Sequence, residues 1–373
     1  MKKSLIAMAA LAATGAFAQS SVTLSGLMDA GVTYSSNAAA GTSKFALSNA
    51  NNNRIIFSGV EDLGGGLAAT FGAQARFDPF TGTNERGGAA VGFSPNGLLV
   101  PGAVNDLNNN FVANGTNVGR PLFQGESRVG LRGGFGAIRI GRGLTALQAP
   151  NGGVLDPWGV STVAGSIYAP GYSSDYSQGG EGRTDGIFYD TPNFSGLSAS
   201  LTYSPRKAKA NGKGFYSTAL NYNNGPIAAV IGFEANRFGD TLFNAGGNYN
   251  FGPAKLFLGY GMVKGGTFAE RAGVAFLATA GNPPTGGYVA AGGKNTALSI
   301  GATAPFGAAT VLAGYSQYKT SIAGAKSENK IGLGVNYALS KRTSVYSDLG
   351  SGSRANVGTA RVNQMDLGVI HKF

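Results

Sequence analysis

Cysteine is absent from this chain of 373 residues, and histidine and tryptophan occur once each. With no thiol there is no disulfide framework and no thiolate metal site, and one imidazole cannot build a multi-histidine centre. That imidazole, His371, stands two residues from the C-terminus, a poor place for the general base of a hydrolytic triad. Charged residues make up only 13% while aromatics reach 10%, which argues against a disordered chain. Acids are the scarcer sign, 18 against 29 bases, for a net charge of +11. They form no cluster with metal-ligand spacing, so neither a metal nor another cofactor is expected. Past the N-terminus no apolar run approaches the roughly 18 residues of a spanning helix; the stretch 272–280 is too short. Gly64-Gly65-Gly66 is a turn and not a phosphate loop, because no helix follows it. Neither a catalytic set nor a nucleic-acid partner is indicated.

Glycine is what the chain has in excess. It supplies 62 residues, far above an ordinary share of roughly 7%, with no G-X-Y period that would imply collagen. Residues 1–18 read as a cleaved secretory leader: Lys2 and Lys3, a short apolar middle, then Ala16-Phe17-Ala18 as a small-x-small cleavage site. The exported part is then one unit, residues 19–373.

Beyond the leader the hydrophobic period is two. Val22, Leu24 and Met28 alternate with Thr23, Ser25 and Asp29. Phe71, Ala73 and Phe77 alternate with Thr70, Gln74 and Arg76. Leu256, Leu258 and Tyr260 oppose Phe257, Gly259 and Gly261. The pattern recurs over 196–204, 214–222, 227–235, 241–249, 295–305, 309–318, 330–338, 342–350 and 362–373, and no long helical stripe interrupts it. Tight turns rich in Gly, Asn and Pro alternate with long connections over 78–123, 144–181 and 264–294. Loops that long argue against a compact soluble domain, but they are expected of an outer-membrane barrel, with short turns on one rim and long loops outside. The count comes to sixteen strands, an even number that puts both chain ends on the turn side. Tyr34, Phe77, Tyr203, Tyr222, Tyr249, Tyr260, Tyr318 and Tyr337 lie near strand ends, where an aromatic girdle would sit.

Several motifs carry a family resemblance. Ser20-Ser21-Val22-Thr23-Leu24-Ser25-Gly26 and the run from Arg54 to Gly64 resemble the first two strands and first turn of Gram-negative general porins of the betaproteobacterial type. Ser127-Arg128-Val129-Gly130-Leu131, Ile140-Gly141-Arg142, Tyr189-Asp190-Thr191-Pro192 and Val369-Ile370-His371-Lys372-Phe373 extend the likeness to the last residue. The resemblance implies an all-β, sixteen-stranded antiparallel transmembrane barrel whose third external loop folds into the lumen. It also implies a homotrimer in outer-membrane lipid passing small hydrophilic solutes, and the net positive charge points to small anions among them. Phe373 would be the terminal aromatic read by the outer-membrane assembly machinery.

Charge at membrane depth is costly unless it faces water, so strand parity picks out the pore wall. It turns Arg54, Arg76, Arg128, Arg132 and Arg139 inward, with Glu126. By resemblance, pore-wall arginines also stand at Arg54, Arg142 and Arg183. Arg142 breaks parity with Ile140 where its strand gives way to the third loop, and Arg183 falls on the face of Ile187 and Tyr189, one residue out of step. Each arginine could instead be a solvated rim residue. Leu155-Asp156-Pro157-Trp158-Gly159 resembles the segment with which related porins set a carboxylate across from the arginines. Asp156 is the candidate, Asp175 and Glu181 are weaker ones, and Trp158 would wedge the loop against the wall. Asp156 could equally do no more than initiate an Asp-Pro turn. The expected function is an anion-preferring diffusion channel. Its alternatives are a channel selective for sugars or organic acids, and an adhesin or receptor barrel.

Overall fold

The computed structural model describes residues 21–36, 44–82, 84, 91–93, 99–101, 122–123, 125–159, 162–165, 183–205, 214–235, 241–264, 294–321, 326–354 and 359–373. The expected leader over 1–18, Asp175 and Glu181 lie outside the described residues. The chain opens with β1 (Ser21–Ser35), β2 (Phe45–Ser48), β3 (Arg54–Gly64) and β4 (Leu67–Arg76). Next, β5 (Val91–Phe93) and β6 (Leu99–Pro101) form a small ladder of their own. β7 (Glu126–Gly133) and β8 (Gly136–Leu144) lead to a short helix, α1 (Gln148–Val154). The series continues with β9 (Arg183–Asp190), β10 (Leu197–Ser204), β11 (Phe215–Asn224), β12 (Ile227–Ala235), β13 (Thr241–Asn250) and β14 (Lys255–Lys264). It ends with β15 (Lys294–Phe306), β16 (Ala309–Thr320), β17 (Glu328–Ala338), β18 (Thr343–Arg354) and β19 (Thr359–Lys372).

Seventeen of these strands form one sheet, and β1 pairs antiparallel with β19, so the sheet closes on itself. β2 and β3 both pair with β1, one along Gly31–Tyr34 and the other along Ser21–Leu27. Laid end to end they fill one position, which makes a sixteen-stranded antiparallel barrel. The break between them falls in the Asn-rich run 49–53. There Asn51 donates from its backbone N and its Nδ2 to Asp29 Oδ2, at 2.6 and 3.0 Å. Asn53 accepts from Asp29 N at 2.5 Å and donates to Asp29 O at 3.1 Å. Side-chain amides thus take over from the backbone ladder for a few residues.

Period two carries through to the two surfaces. Leu24, Met28, Leu201, Ile231, Leu258, Ile300, Leu333 and Leu367 are exposed, as a lipid-facing wall requires, while many of the alternate residues, among them Asp29, Thr202, Gly259, Ser299, Gly332 and Asp366, are buried small or polar groups. Tyr203, Tyr222, Tyr249, Tyr260 and Tyr337 are exposed. Tyr318 departs from the girdle expectation: it is buried, because in β16 the inward parity runs through Leu312 and Ser316, both buried with it. The first tight turn uses three consecutive glycines, Gly64, Gly65 and Gly66, all at positive φ (84°, 61° and 78°). Only glycine takes that conformation freely, and Asp62 Oδ1 accepts from Gly64 N at 2.8 Å to fix it. Strands overrun their expected ends on the side of the long connections, reaching Ser35 and Arg354.

Candidate functional site

The basic residues gather on the inner parity of β3, β4, β7 and β8. Arg54 stands between Leu27 of β1 and Arg76 of β4 in the strand register, and Leu27 is buried on the inner face. Arg54 and Arg76 are therefore a like-charge cross-strand pair, an arrangement that is unfavourable unless other groups compensate it. Arg54 Nη1 donates to Asn52 O at 3.3 Å, and Arg76 is only 2% exposed. Arg128 is held by Glu126, with Nε 2.9 Å and Nη2 2.7 Å from Oε1. Its guanidinium also lies 4.9 Å over the ring of Phe188, a cation–π contact. Gly143 makes room for it, since a Cβ there would stand 2.6 Å from Arg128 Cζ. Arg139, between Gly130 and Phe188 in register, pairs with Asp190. Arg132 stands between Ala68 and Ala137, near the turns.

Arg142 and Arg183 sit apart from this group. Arg142 lies opposite Ser127 and Asp185, on the parity of Ile138 and Ile140. Arg183 begins β9 opposite Leu144, and its Nε donates to Gly125 O at 2.7 Å.

Asp156 is buried and serves its own turn: Oδ1 accepts from Trp158 N at 2.9 Å, and its carbonyl accepts from Gly159 N at 3.2 Å. Trp158 Nε1 donates to Asp348 Oδ1 at 2.7 Å. The rest of the segment hydrogen-bonds to side chains on β10, β11, β13, β15, β17 and β19. Ala146 N donates to Thr202 Oγ1 at 2.9 Å and Leu147 N to Ser217 Oγ at 3.0 Å. Asn248 Nδ2 and Ser299 Oγ donate to the carbonyls of Val154 and Leu155 at 3.1 and 3.2 Å. Val163 N donates to Asp366 Oδ2 at 3.0 Å, and Lys330 Nζ to Gly165 O at 2.6 Å.

Asp348 and Asp366, directly opposite one another across β18 and β19, were not singled out from sequence, nor was Tyr346, whose hydroxyl donates to Asp29 Oδ1 at 2.9 Å. The signal was available, since Asp348 precedes exposed Leu349 and Asp366 precedes exposed Leu367. What parity cannot supply is the loop partner, Trp158 or Val163, 190 and 203 residues away. At the seam, Phe373 exchanges both backbone hydrogen bonds with Gly26, at 2.8 and 3.2 Å. His371 Nδ1 lies 2.9 Å from Thr343 Oγ1 on the exposed face.

Comparison with known proteins agrees with this geometry. Residues 4–356 match the family model described as Gram-negative porin. Outer membrane porin protein 32 of Delftia acidovorans is 31% identical over 94% of this chain and 89% of its own. An outer membrane porin protein of Bordetella pertussis is 26% identical over the full length (100%) of both. Among solved structures, an anion-selective porin from Comamonas acidovorans superposes with a TM-score of 0.69 at 24% identity, covering 95% of this chain and 100% of that one. OmpT of Vibrio cholerae, solved in trimer form, gives 0.62 at 13% identity over 95% and 99%. At these identities the structural likeness speaks for the fold, whereas the family match speaks for kinship. A closed sixteen-stranded barrel, apolar outside and polar within, and the match over nearly the whole chain lead to one assignment: the chain belongs to the Gram-negative porins, channel-forming proteins of the outer membrane.

Proposed function

We propose that the channel prefers anions and passes small hydrophilic solutes by diffusion, with the segment described over residues 145–159 and 162–165 narrowing it from inside. The observation that carries this reading is an asymmetry of charge. Arg54, Arg76, Arg128 and Arg139 share the inner parity of one arc of the wall. On β18 and β19, to the other side of β1 from that arc, Asp348 and Asp366 are buried beneath that segment and accept from its N–H groups. Low-dielectric walls focus such a field into the aqueous lumen and raise the local concentration of anions. Asp156 is given a turn-forming role here, not that of a free pore carboxylate. Arg142 and Arg183 belong in this reading to the mouth on the long-loop side, where they steer anions toward the constriction. The anion selectivity of the Comamonas porin and the trimeric form of the Vibrio protein support extending both properties to this chain. A leader cleaved after Ala18 delivers it to the membrane. No reaction is assigned, and His371, paired with Thr343 on the outer face, has no part in conduction.

The test is reversal potential in a planar bilayer under a salt gradient. The wild-type channel is expected to prefer anions, and Arg54→Gln with Arg128→Gln to move the potential toward cations. The shift should be largest in dilute salt and shrink near 1 M, where the Debye length is about 3 Å. Cation preference of the wild-type channel in dilute salt would overturn the reading.

A further inference from the structure

We infer that the wall facing the arginines is a glycine-paved track whose depth sets how far the segment described over residues 145–159 and 162–165 projects into the channel, and hence the aperture. The inference rests on the lumenal reading of that segment given above. Gly301, Gly314, Gly332 and Gly350 stand directly opposite one another across β15, β16, β17 and β18, a continuous row in register. Gly246 and Gly259 face each other in the same way across β13 and β14. Glycine in a strand interior weakens it and calls for a reason. Positive φ is not the reason along the four-residue row, because none of its members adopts one.

Space is the reason. A Cβ at Gly301 would stand 2.6 Å from Pro157 Cδ, and one at Gly314 2.7 Å from Trp158 Cζ3. At Gly332 it would lie 2.9 Å from the carbonyl carbon of Ala164, and at Gly350 2.9 Å from that of Val163. At Gly246 and Gly259 it would meet Leu155, at 2.7 Å from Cδ2 and 3.2 Å from Cβ. Side chains in this row would push the segment off the wall. The wall beneath carries few anchoring groups, chiefly Ser299, Lys330, Asp348 and Asp366, and these bond mostly to the backbone of the segment. Glycines remote from the arginines would then determine solute cutoff.

Two variants separate this proposal from the reading beneath it. The chain has no native cysteine, so Ala164→Cys with Gly332→Cys gives one defined pair. The Cβ positions lie 3.0 Å apart, short of the usual range of about 3.5–4.5 Å for a disulfide, so the bond needs the segment to lift off the wall by about half an ångström. The bond is expected to form on mild oxidation of the folded channel, and failure to form it would overturn the lumenal placement itself. Gly301→Ala is expected to lower single-channel conductance about 1.2-fold or more, because an overpacked segment yields toward the open lumen. Adding Pro157→Ala, which removes the ring atoms the new methyl meets, should restore most of the loss. Should Gly301→Ala alone fail to fold, recovery of folding in the double variant is the supporting result and continued failure the overturning one. Wild-type conductance of a folded Gly301→Ala channel, with the disulfide formed, would overturn the track alone.

Discussion

Arg128 and Arg139 carry the same charge on neighbouring strands, yet their partners decide what each presents to the channel. Arg128 is shared between Glu126 and the face of Phe188, whereas Arg139 is paired with Asp190 close to the short-turn rim. The Asp190 side chain is 38% exposed and that of Arg139 29%, so water screens the pair and its worth to stability is about 0–1 kcal/mol. Its worth to conduction is another matter, because the carboxylate cancels a positive charge of the pore wall. Asp190→Asn should therefore leave thermal unfolding nearly unchanged while shifting the reversal potential toward anions in dilute salt. Unfolding temperature and reversal potential measured on the same preparation check both halves. A large loss of stability with unchanged selectivity would show that the pair is structural.

At the scale of strands, legibility follows the surroundings of each face. A strand with lipid on one side and water on the other must alternate, so β4, β7, β8, β10 to β14 and β19 are readable residue by residue. Alternation fails where a side chain stops serving the sheet. The short strand β2 escaped because Asn49 to Asn53 look like a loop, although Asn51 and Asn53 fold back onto Asp29. Tyr318 combines a strand-end position, which suggests the girdle, with the inward parity of Leu312 and Ser316, and parity prevails. The seating of Trp158 on Asp348 escaped because no local pattern encodes a contact between residues 190 apart. Asp29, fully buried, is the hub of the break between β2 and β3, accepting from Asn51 and Tyr346 through its carboxylate. Asp29→Ala leaves those donors unmatched and should cost on the order of 3 kcal/mol, since bonds to a charged group are worth about 1.5–3 each and do not add. Asp29→Asn keeps one acceptor oxygen and should lose less. The temperature at which the folded band converts to the unfolded one in gel electrophoresis ranks the three proteins, and equal values for the wild type and Asp29→Ala would remove Asp29 from that role.

The barrel as a whole depends on one seam. β1 and β19 are joined from Leu27 opposite Lys372 to Ser35 opposite Gln364, and the exchange between Gly26 and Phe373 ends the ladder on the short-turn side. An open edge in lipid would leave backbone groups unpaired at several kcal/mol each, so closure is a condition of existing in the membrane at all. The last residue acts through its backbone and its ring separately. The backbone pairs with Gly26, and the ring lies over Gly26 so closely that a Cβ there would be 2.7 Å from Phe373 Cε2. Phe373→Ala keeps the first and removes the second. The ring is 40% exposed, so its packing is worth roughly 1 kcal/mol, too little to open the barrel. If the ring only packs, the variant should assemble in cells as well as the wild type. If the terminal aromatic is also what the assembly machinery reads, as the family resemblance implies, the folded band in outer membranes should fall several-fold while channels refolded in detergent keep nearly normal conductance. That second pattern is the expected one. Gly26→Ala supplies the complementary case, retaining the aromatic while displacing it, and should weaken the refolded barrel as well. Undiminished assembly of Phe373→Ala in cells would leave Phe373 with packing alone.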